Sequence, residues 1–212
     1  MQGLKASSFF DENGLMGQTE RLSLEIPARE DLPGYIDAMG CIMPGLASWY
    51  RRDAEARRCY WETISAEASL YCSIRLRRSR KLCGFCTVEK LTAAPFEIGI
   101  NLLSDCRGTG IGAEVVSAFM TCFEAVAGPS CFVACIEPKN VRSQKVFRKL
   151  GFVPDGIDTF IIKDPLLLER FEEERLDEID DDIRRLAEEF NVEPRKLLSH
   201  LLVFSRRATA AC

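Results

Sequence analysis

The sequence predicts an α/β fold: a mixed, mainly antiparallel sheet with flanking helices, followed by a C-terminal helical extension. Three observations lead there. Two apolar stretches, Leu70 to Leu76 and Leu82 to Leu91, flank the basic turn Arg77-Arg78-Ser79-Arg80-Lys81, as an antiparallel hairpin does. A third stretch, Phe96 to Leu103, continues the meander and leads through Arg107-Gly108-Thr109-Gly110-Ile111-Gly112 into a helical pattern with Ile111, Val115, Phe119, Phe123 and Val126 on one face. Beyond Pro165 the apolar period turns helical, with Leu168, Phe171, Leu176, Ile179, Ile183, Leu186 and Phe190 forming one stripe.

The remaining elements follow in chain order. Arg21 to Ile26 reads as a first strand, and the eighteen residues ahead of Thr19 are expected to lack fixed structure. Ala28 to Met39 reads as a helix interrupted near Pro33-Gly34, and Arg52 to Ala68 as a second one. Gly128-Pro129 stops the helix after the glycine loop, and Cys131 to Ile136 is the next strand. After the long acidic stripe, Asn191 and Glu193-Pro194 form a break, and Arg195 to Phe204 reads as a last helix carrying Leu197, Leu198, Leu201 and Leu202. The expected organisation is an N-terminal segment 1–18, a domain 19–163 and an acidic helical extension 164–212.

Composition bounds the function. With 212 residues and 47% hydrophobic content, the chain can bury one full core. No apolar run reaches the length of a membrane span, and the first eighteen residues, broken by Lys5, Asp11 and Glu12, lack a signal peptide's apolar centre. A soluble cytoplasmic protein without membrane partners is expected. Its ten cysteines are then expected to be mostly reduced core residues. Cys83 and Cys86 form the only C-x-x-C, and positions three apart on a strand point to opposite faces. With a single histidine, His200, no metal site is expected. Residues 1–163 are nearly neutral, with 20 Lys and Arg against 19 Asp and Glu, whereas residues 164–190 hold 12 acidic residues against 4 arginines. That acidity disfavours nucleic acid as a partner. It reads as a solvated helix face, or alternatively as a fence that draws in cationic acceptors. The apolar stripe must be covered, either by docking on the body or by pairing with a second copy through the C-terminal helices.

The glycine-rich hexapeptide carries the strongest chemical signal. Main-chain N–H groups can close on a phosphate where no Cβ intervenes and positive φ is tolerated, and a helix start adds orphan donors and a partial positive charge. Gly108, Thr109, Gly110, Ile111 and Gly112 are therefore expected to cradle the diphosphate of an anionic cofactor. A dinucleotide is one candidate, since Gly108-x-Gly110-x-x-Ala113 fits the relaxed fingerprint and Glu137 stands where a ribose-binding acid is wanted. Against it, only one strand-crossover unit is present, and Glu97, Gly99 and Asn101 interrupt the apolar strand.

A second segment, Glu137-Pro138-Lys139-Asn140-Val141-Arg142-Ser143, opens a short helix that ends in Phe147-Arg148-Lys149-Leu150-Gly151-Phe152. The two segments, in this order and spacing, resemble the GNAT acetyltransferase superfamily. In that family Arg107, Gly110 and Gly112 match the loop that grips the pyrophosphate of acetyl-CoA. Pro138, Asn140 and Ser143 match the segment bordering the pantetheine arm, and Gly151-Phe152 the pair that follows. Thr19 to Leu24 looks like the first strand of the branch acting on ribosomal-protein N-termini. The resemblance spans residues 19 to 163 and implies a GNAT-like sheet and acetyl transfer to a primary amine, a peptide or protein N-terminus among the acceptors. The competing readings are an acyl-CoA-binding regulator without transfer chemistry and the dinucleotide-binding protein above.

If acetyl-CoA binds, two strands splay so that backbone groups of Ile100, Asn101 and Leu102 meet the pantetheine amides. An aliphatic ammonium with a pKa of about 10 is only about one part in a thousand neutral at pH 7, so a base or water relay is useful. Glu97 is the first candidate and Glu137 the second. Many family members place a tyrosine seven residues after the helix asparagine to protonate the leaving thiolate. Here that residue is Phe147, which can pack on the cofactor but donates nothing. Ser143, one turn earlier, is the substitute candidate, with a role in the helix's first turn as its structural alternative. Lys139, Arg142, Lys145, Arg148 and Lys149 form a basic strip, solvated or facing the nucleotide phosphates. Met43 to Trp61, with Trp49, Tyr50, Arg51, Arg57, Tyr60 and Trp61, is expected to hold the acceptor's determinants, or else to be helix core with solvated arginines.

Overall fold

The computed structural model describes residues 3–159 and 164–208. The described residues divide into two compact units, those up to Ser130 together with Ala208, and those within Cys131–Arg207.

In the first unit five strands, β1 (Leu15–Gln18), β2 (Leu22–Glu25), β3 (Leu70–Leu76), β4 (Leu82–Val88) and β5 (Phe96–Leu102), form an antiparallel sheet in chain order. Four helices accompany it: α1 (Leu32–Gly40), α2 (Pro44–Arg52), α3 (Ala54–Ile64) and α4 (Ile111–Ala127). Alternation along the strands sends two residue sets to opposite faces. One face places Tyr71 and Phe85 against Tyr35, Ile36, Tyr60 and Ile64 of α1 and α3, with Tyr35 stacked on Phe85 at 4.3 Å. Leu24, Ile74, Cys86 and Ile98 belong to the other alternation set and are fully buried. The inward stripe of α4, Val115, Phe119 and Phe123, is equally buried. Phe96 meets Phe123 at 4.7 Å.

Ahead of Thr19, where no fixed structure is expected from the sequence, a 3-10 turn (Ala6–Phe9) and β1 form instead. Phe9 is buried and stacks on Phe123 at 4.9 Å, an apolar anchor that outweighs the polar residues around it. The helix expected from Ala28 begins only at Leu32, with Pro33 in its first turn, where its missing N–H costs nothing. The helix expected over Arg52 to Ala68 is two helices, because Asp53 ends α2 in an extended conformation and its side chain caps α3 by accepting from the Ala56 N–H at 2.9 Å.

The second unit holds β6 (Phe132–Ile136), α5 (Val141–Lys149), β7 (Val153–Thr159), α6 (Pro165–Glu173), α7 (Asp181–Phe190) and β8 (His200–Arg206). β8 lies between β6 and β7 and is antiparallel to both. This corrects the helix expected over Arg195 to Phe204: Pro194–Leu198 is a 3-10 turn, and the residues after it are a strand. The leucine-rich run carries no clear period, and pairing on both sides decides the outcome by burying Leu202 and Phe204 on one face. The acidic stripe is likewise broken into α6, a 3-10 turn (Leu176–Glu178) and α7. Asp164 and Asp180 each cap a new helix, Asp180 accepting from the Ile183 N–H at 2.8 Å. Ile183, Ala187 and Phe190 are buried inside the unit, while Leu166 and Leu167 stay exposed.

Candidate functional site

The glycine loop begins where β5 ends. A 3-10 turn (Ser104–Cys106) reverses the chain, and the Arg107 Nε donates back to the Leu102 carbonyl at 2.9 Å, tying the loop to the strand. Gly108 and Gly110 then adopt φ of +76° and +82°, a left-handed geometry that costs a side-chain-bearing residue about 1–2 kcal/mol. Left-handed residues in a tight turn bring neighbouring N–H groups toward one side. Among the described residues, the N–H groups of Gly108 through Ala113 donate to no protein acceptor; the first one that does is Glu114, to the Gly110 carbonyl at 3.4 Å. Six donors in a row therefore stand at the mouth of the 17-residue helix α4, whose dipole adds positive potential there.

Three residues that sequence reading did not single out for this role hold the loop in place. Arg21 donates to the Thr109 carbonyl at 3.1 Å and forms an ion pair with Glu114 in the first turn of α4, while Thr19 donates to the same carboxylate. Burial pushes the Glu114 pKa up, but the hydrogen bonds from Thr19 and Arg21 outweigh it and leave it below the usual carboxylate value. A Cβ built on Gly110 would lie 3.7 Å from the Arg21 guanidinium, so a cation sits beside the free amides. Thr109 Oγ1 donates to the Cys106 carbonyl at 2.9 Å, so it shapes the turn. Ile111 is buried, and Gly112 lies in the first turn of α4. Exposed main-chain donors, a helix mouth and a guanidinium make up a donor set suited to a diphosphate.

Elsewhere in this unit, Ile100, Asn101 and Leu102 lie half-buried on β5, paired with Cys86, Phe85 and Gly84 of β4. Glu97 is exposed at the start of β5. The aromatic lid is in part core: Tyr50 stacks on Tyr60 at 4.7 Å, whereas Trp49 is half exposed. Its arginines are engaged locally, Arg51 with Asp37 at 2.8 Å, Arg58 with Glu55 and Glu62, and Arg57 with the Tyr50 and Arg51 carbonyls. Arg51, Arg57 and Arg58, with Arg29, also border a cavity of about 720 Å³.

The second unit contains the other sequence candidates. Asn140 caps α5, its Oδ1 accepting from the Ser143 N–H at 3.1 Å. Ser143 is the partner in that cap, and its hydroxyl makes no hydrogen bond among the described residues. Phe147 is 2% exposed and meets Phe152 edge-on at 5.0 Å, so its ring belongs to the core of this unit. Glu137 borders a cavity of about 350 Å³ with Phe171, Leu198 and His200. The basic strip is partly neutralised by the acidic tail: Lys139 pairs with Glu178 and Arg148 with Glu189, each at 2.5 Å. Neither the solvated face nor the acidic fence for cationic acceptors describes Glu172. It is fully buried and receives hydrogen bonds from Arg195, Lys196 and Ser199 at 2.9, 3.1 and 2.7 Å.

The model of the acetyltransferase (GNAT) domain matches residues 21–153, and the chain belongs to that family. It is thus an acetyltransferase by family. Solved structures share its fold at low identity. RimL, a ribosomal L7/L12 alpha-N-protein acetyltransferase in complex with coenzyme A, is 13% identical with a TM-score of 0.63 and covers 92% of this chain and 99% of its own. The microcin C7 self-immunity acetyltransferase MccE, in complex with acetyl-CoA and AMP, is also 13% identical at 0.63, covering 94% and 98%. The ribosomal-protein-S5-alanine acetyltransferase from Vibrio fischeri is 15% identical at 0.55, covering 92% and 97%. A comparison with curated protein sequences gives no match. The dinucleotide reading is thereby corrected. The strand that feeds the loop pairs antiparallel with its predecessor, whereas a dinucleotide fold needs parallel strands there.

Proposed function

We propose that this protein transfers the acetyl group of acetyl-CoA to a primary amine, with a peptide or protein N-terminus as the favoured acceptor. The observation that carries the proposal is the row of unpartnered N–H groups from Gly108 to Ala113 beside Arg21, a site built for a diphosphate. Acetyl-CoA, when bound, supplies the activated thioester. This chain's residues bind and orient it: Arg107 anchors the loop, Gly108 to Gly112 meet the diphosphate, and Ile100, Asn101 and Leu102 offer backbone groups for the pantetheine amides. Asn140 and Ser143 match the family's pantetheine segment, and Ser143 keeps an unengaged hydroxyl as a proton donor in place of Phe147. Glu97 is the carboxylate candidate for taking the ammonium proton, with Glu137 the alternative. The likeness to acetyltransferases of ribosomal proteins supports a protein amine as acceptor.

The regulator reading has one observation in its favour, the buried Phe147 ring where a hydroxyl would serve. Thiol release from acetyl-CoA with a panel of free peptides and polyamines separates the two. Release with a peptide supports the transferase, and coenzyme A binding without release for any amine supports the regulator.

A further inference from the structure

The β4–β5 hairpin brings Glu97 together with residues to which the reaction so far gives no role. The register Thr87↔Gly99 and Val88↔Ile98, continued by one residue, places Glu89 directly opposite Glu97. Because side chains alternate along a strand, both carboxylates share a face with Thr87 and Gly99, and the Tyr71↔Thr87 pair adds Tyr71 of β3 to it. That is the face packed by α1 to α3, where Tyr60 and Tyr71 belong to one cluster. Like charges opposite each other in a ladder are normally avoided. Their presence calls for a positive group.

Two further observations point to a ligand. Thr87 is 5% exposed, and its buried Oγ1 has no hydrogen-bond partner among the described residues, although the Tyr71 hydroxyl is near enough to feel it. A buried hydroxyl left so costs about 1–3 kcal/mol unless something completes it. Opposite it stands Gly99, where a Cβ would come to 3.0 Å from the Thr87 methyl, so a side chain there would press on Thr87. Glu89 itself is solvent-exposed, yet packing around its carboxyl still pushes its pKa up, and the charge of Glu97 adds to that while Lys90 opposes it. Water-accessible and ringed by protein is the condition of a group lining a groove.

Resting on the acetyl-transfer reading, we infer that Glu89 and Glu97, walled by Tyr60 and Tyr71 and floored by Thr87, form the seat of the acceptor's primary ammonium, with Glu89 taking its proton in place of Glu97, which holds the cation beside it. The ammonium sits between two carboxylates and against ring faces, an arrangement suited to a compact cation. Glu89 accepts one ammonium proton, leaving a neutral amine. The nitrogen lone pair attacks the thioester carbonyl carbon, the C–N bond forms and the C–S bond breaks. Sulfur leaves with the electron pair and takes up the second proton lost by nitrogen. Glu89 returns its own proton to water. Both tyrosines stay neutral through the working range, because burial and then the Glu89 charge push Tyr71 up to about 12, while burial and the neighbouring Tyr71, Tyr50 and Glu89 push Tyr60 higher still. They can therefore donate hydrogen bonds to an acceptor carbonyl, as a peptide offers.

The groups facing Glu89 are Glu97, Lys90, Tyr60 and Tyr71. The test uses acetyl-CoA with trialanine and with spermidine, and reads kcat, KM and their pH dependence for wild type, Glu89→Gln, Glu89→Asp and Glu97→Gln. Glu89→Gln is expected to lower kcat about 100-fold or more with the KM for acetyl-CoA unchanged, the usual loss for a proton acceptor. It should also erase the acid limb of kcat/KM, and Glu89→Asp should restore it in part. Glu97→Gln should move that limb to lower pH, because Glu89 loses the neighbour that raises it. The same shift should appear, without turnover, in the carboxyl carbon resonance of Glu89. A wild-type limb and kcat in Glu89→Gln, or a Glu89 resonance that ignores Glu97→Gln, overturns the seat while leaving acetyl transfer standing. No thiol release by wild type with any amine overturns both.

Discussion

Gly110 is where the chemistry and the backbone meet. Its φ of +82° sets the mouth of α4, and nothing but solvent and the Arg21 guanidinium lies where a side chain would go. A glutamate there would clear its neighbours at a backbone cost of about 1–2 kcal/mol for the left-handed φ, so its main effect falls on the anion. Asn140 makes the complementary case, a residue whose observed bond is structural. Asn140→Ala removes the cap on the Ser143 N–H and is expected to cost about 1 kcal/mol. A fall in Tm of roughly 2–4 °C, read by calorimetry, is expected for a chain of this length. An unchanged Tm would show that the cap contributes nothing. Gly84 carries the sharpest steric constraint: its Cβ would stand 2.0 Å from the Asn101 carbonyl oxygen, at φ +141°. Gly84→Ala is therefore expected to destabilise the first unit by several kcal/mol, about 2–4 by analogy with overpacking plus backbone strain. Urea unfolding checks it, and a loss below about 0.5 kcal/mol would contradict the close approach.

Among the elements, the first unit was largely readable. The alternation of Leu70 to Leu76 and Leu82 to Leu91 about a basic turn gave the hairpin, and the loop was visible because positive φ and naked amides demand glycine at fixed spacing. Glu89 belongs to no motif, although its position opposite Glu97 follows from counting inward from both ends of the hairpin. The clamp from Arg21 and Thr19 to Glu114 was beyond the sequence, since it joins residues about ninety positions apart. β8 is not legible from its residues, because four apolar residues in five positions show neither period clearly and only its two neighbours fix it as a strand. Its burial can be tested. Leu202 is fully buried at the centre of β8, and Leu202→Ala is expected to cost about 3 kcal/mol. If residues 200–206 were a docked surface helix, denaturant unfolding would register far less.

For the whole molecule, pH response should be governed on the acid side by paired carboxylates. Burial pushes the Glu172 pKa up, yet bonds from Ser199, Lys196 and Arg195 more than offset it, so it lies below its ordinary value. Hydrogen bonds from Arg175 and Lys139 bring Glu178 down to about 2. A folded pKa below the unfolded one contributes stability that is complete above the unfolded value, about 4.3, and is lost as pH falls through the folded value. Stability is therefore expected to be flat from pH 7 to about 5 and to fall between about 4 and 2. Glu172→Ala leaves Arg195 and Lys196 without their shared partner and is expected to cost about 3 kcal/mol at pH 7 and progressively less toward pH 2. A cost independent of pH would show that Glu172 acts by packing alone. No described helix is long and apolar enough to cross a membrane.

The central claim is that main-chain amides from Gly108 to Ala113 hold the diphosphate of coenzyme A. Isothermal titration of coenzyme A into wild type and Gly110→Glu tests it most directly. The expected result is binding by wild type and a loss of about 100-fold or more in the variant, from forfeited charge-assisted amide bonds and like-charge repulsion, with both proteins melting within a few degrees of each other. Equal affinity in the two proteins, or no binding by wild type, would contradict it.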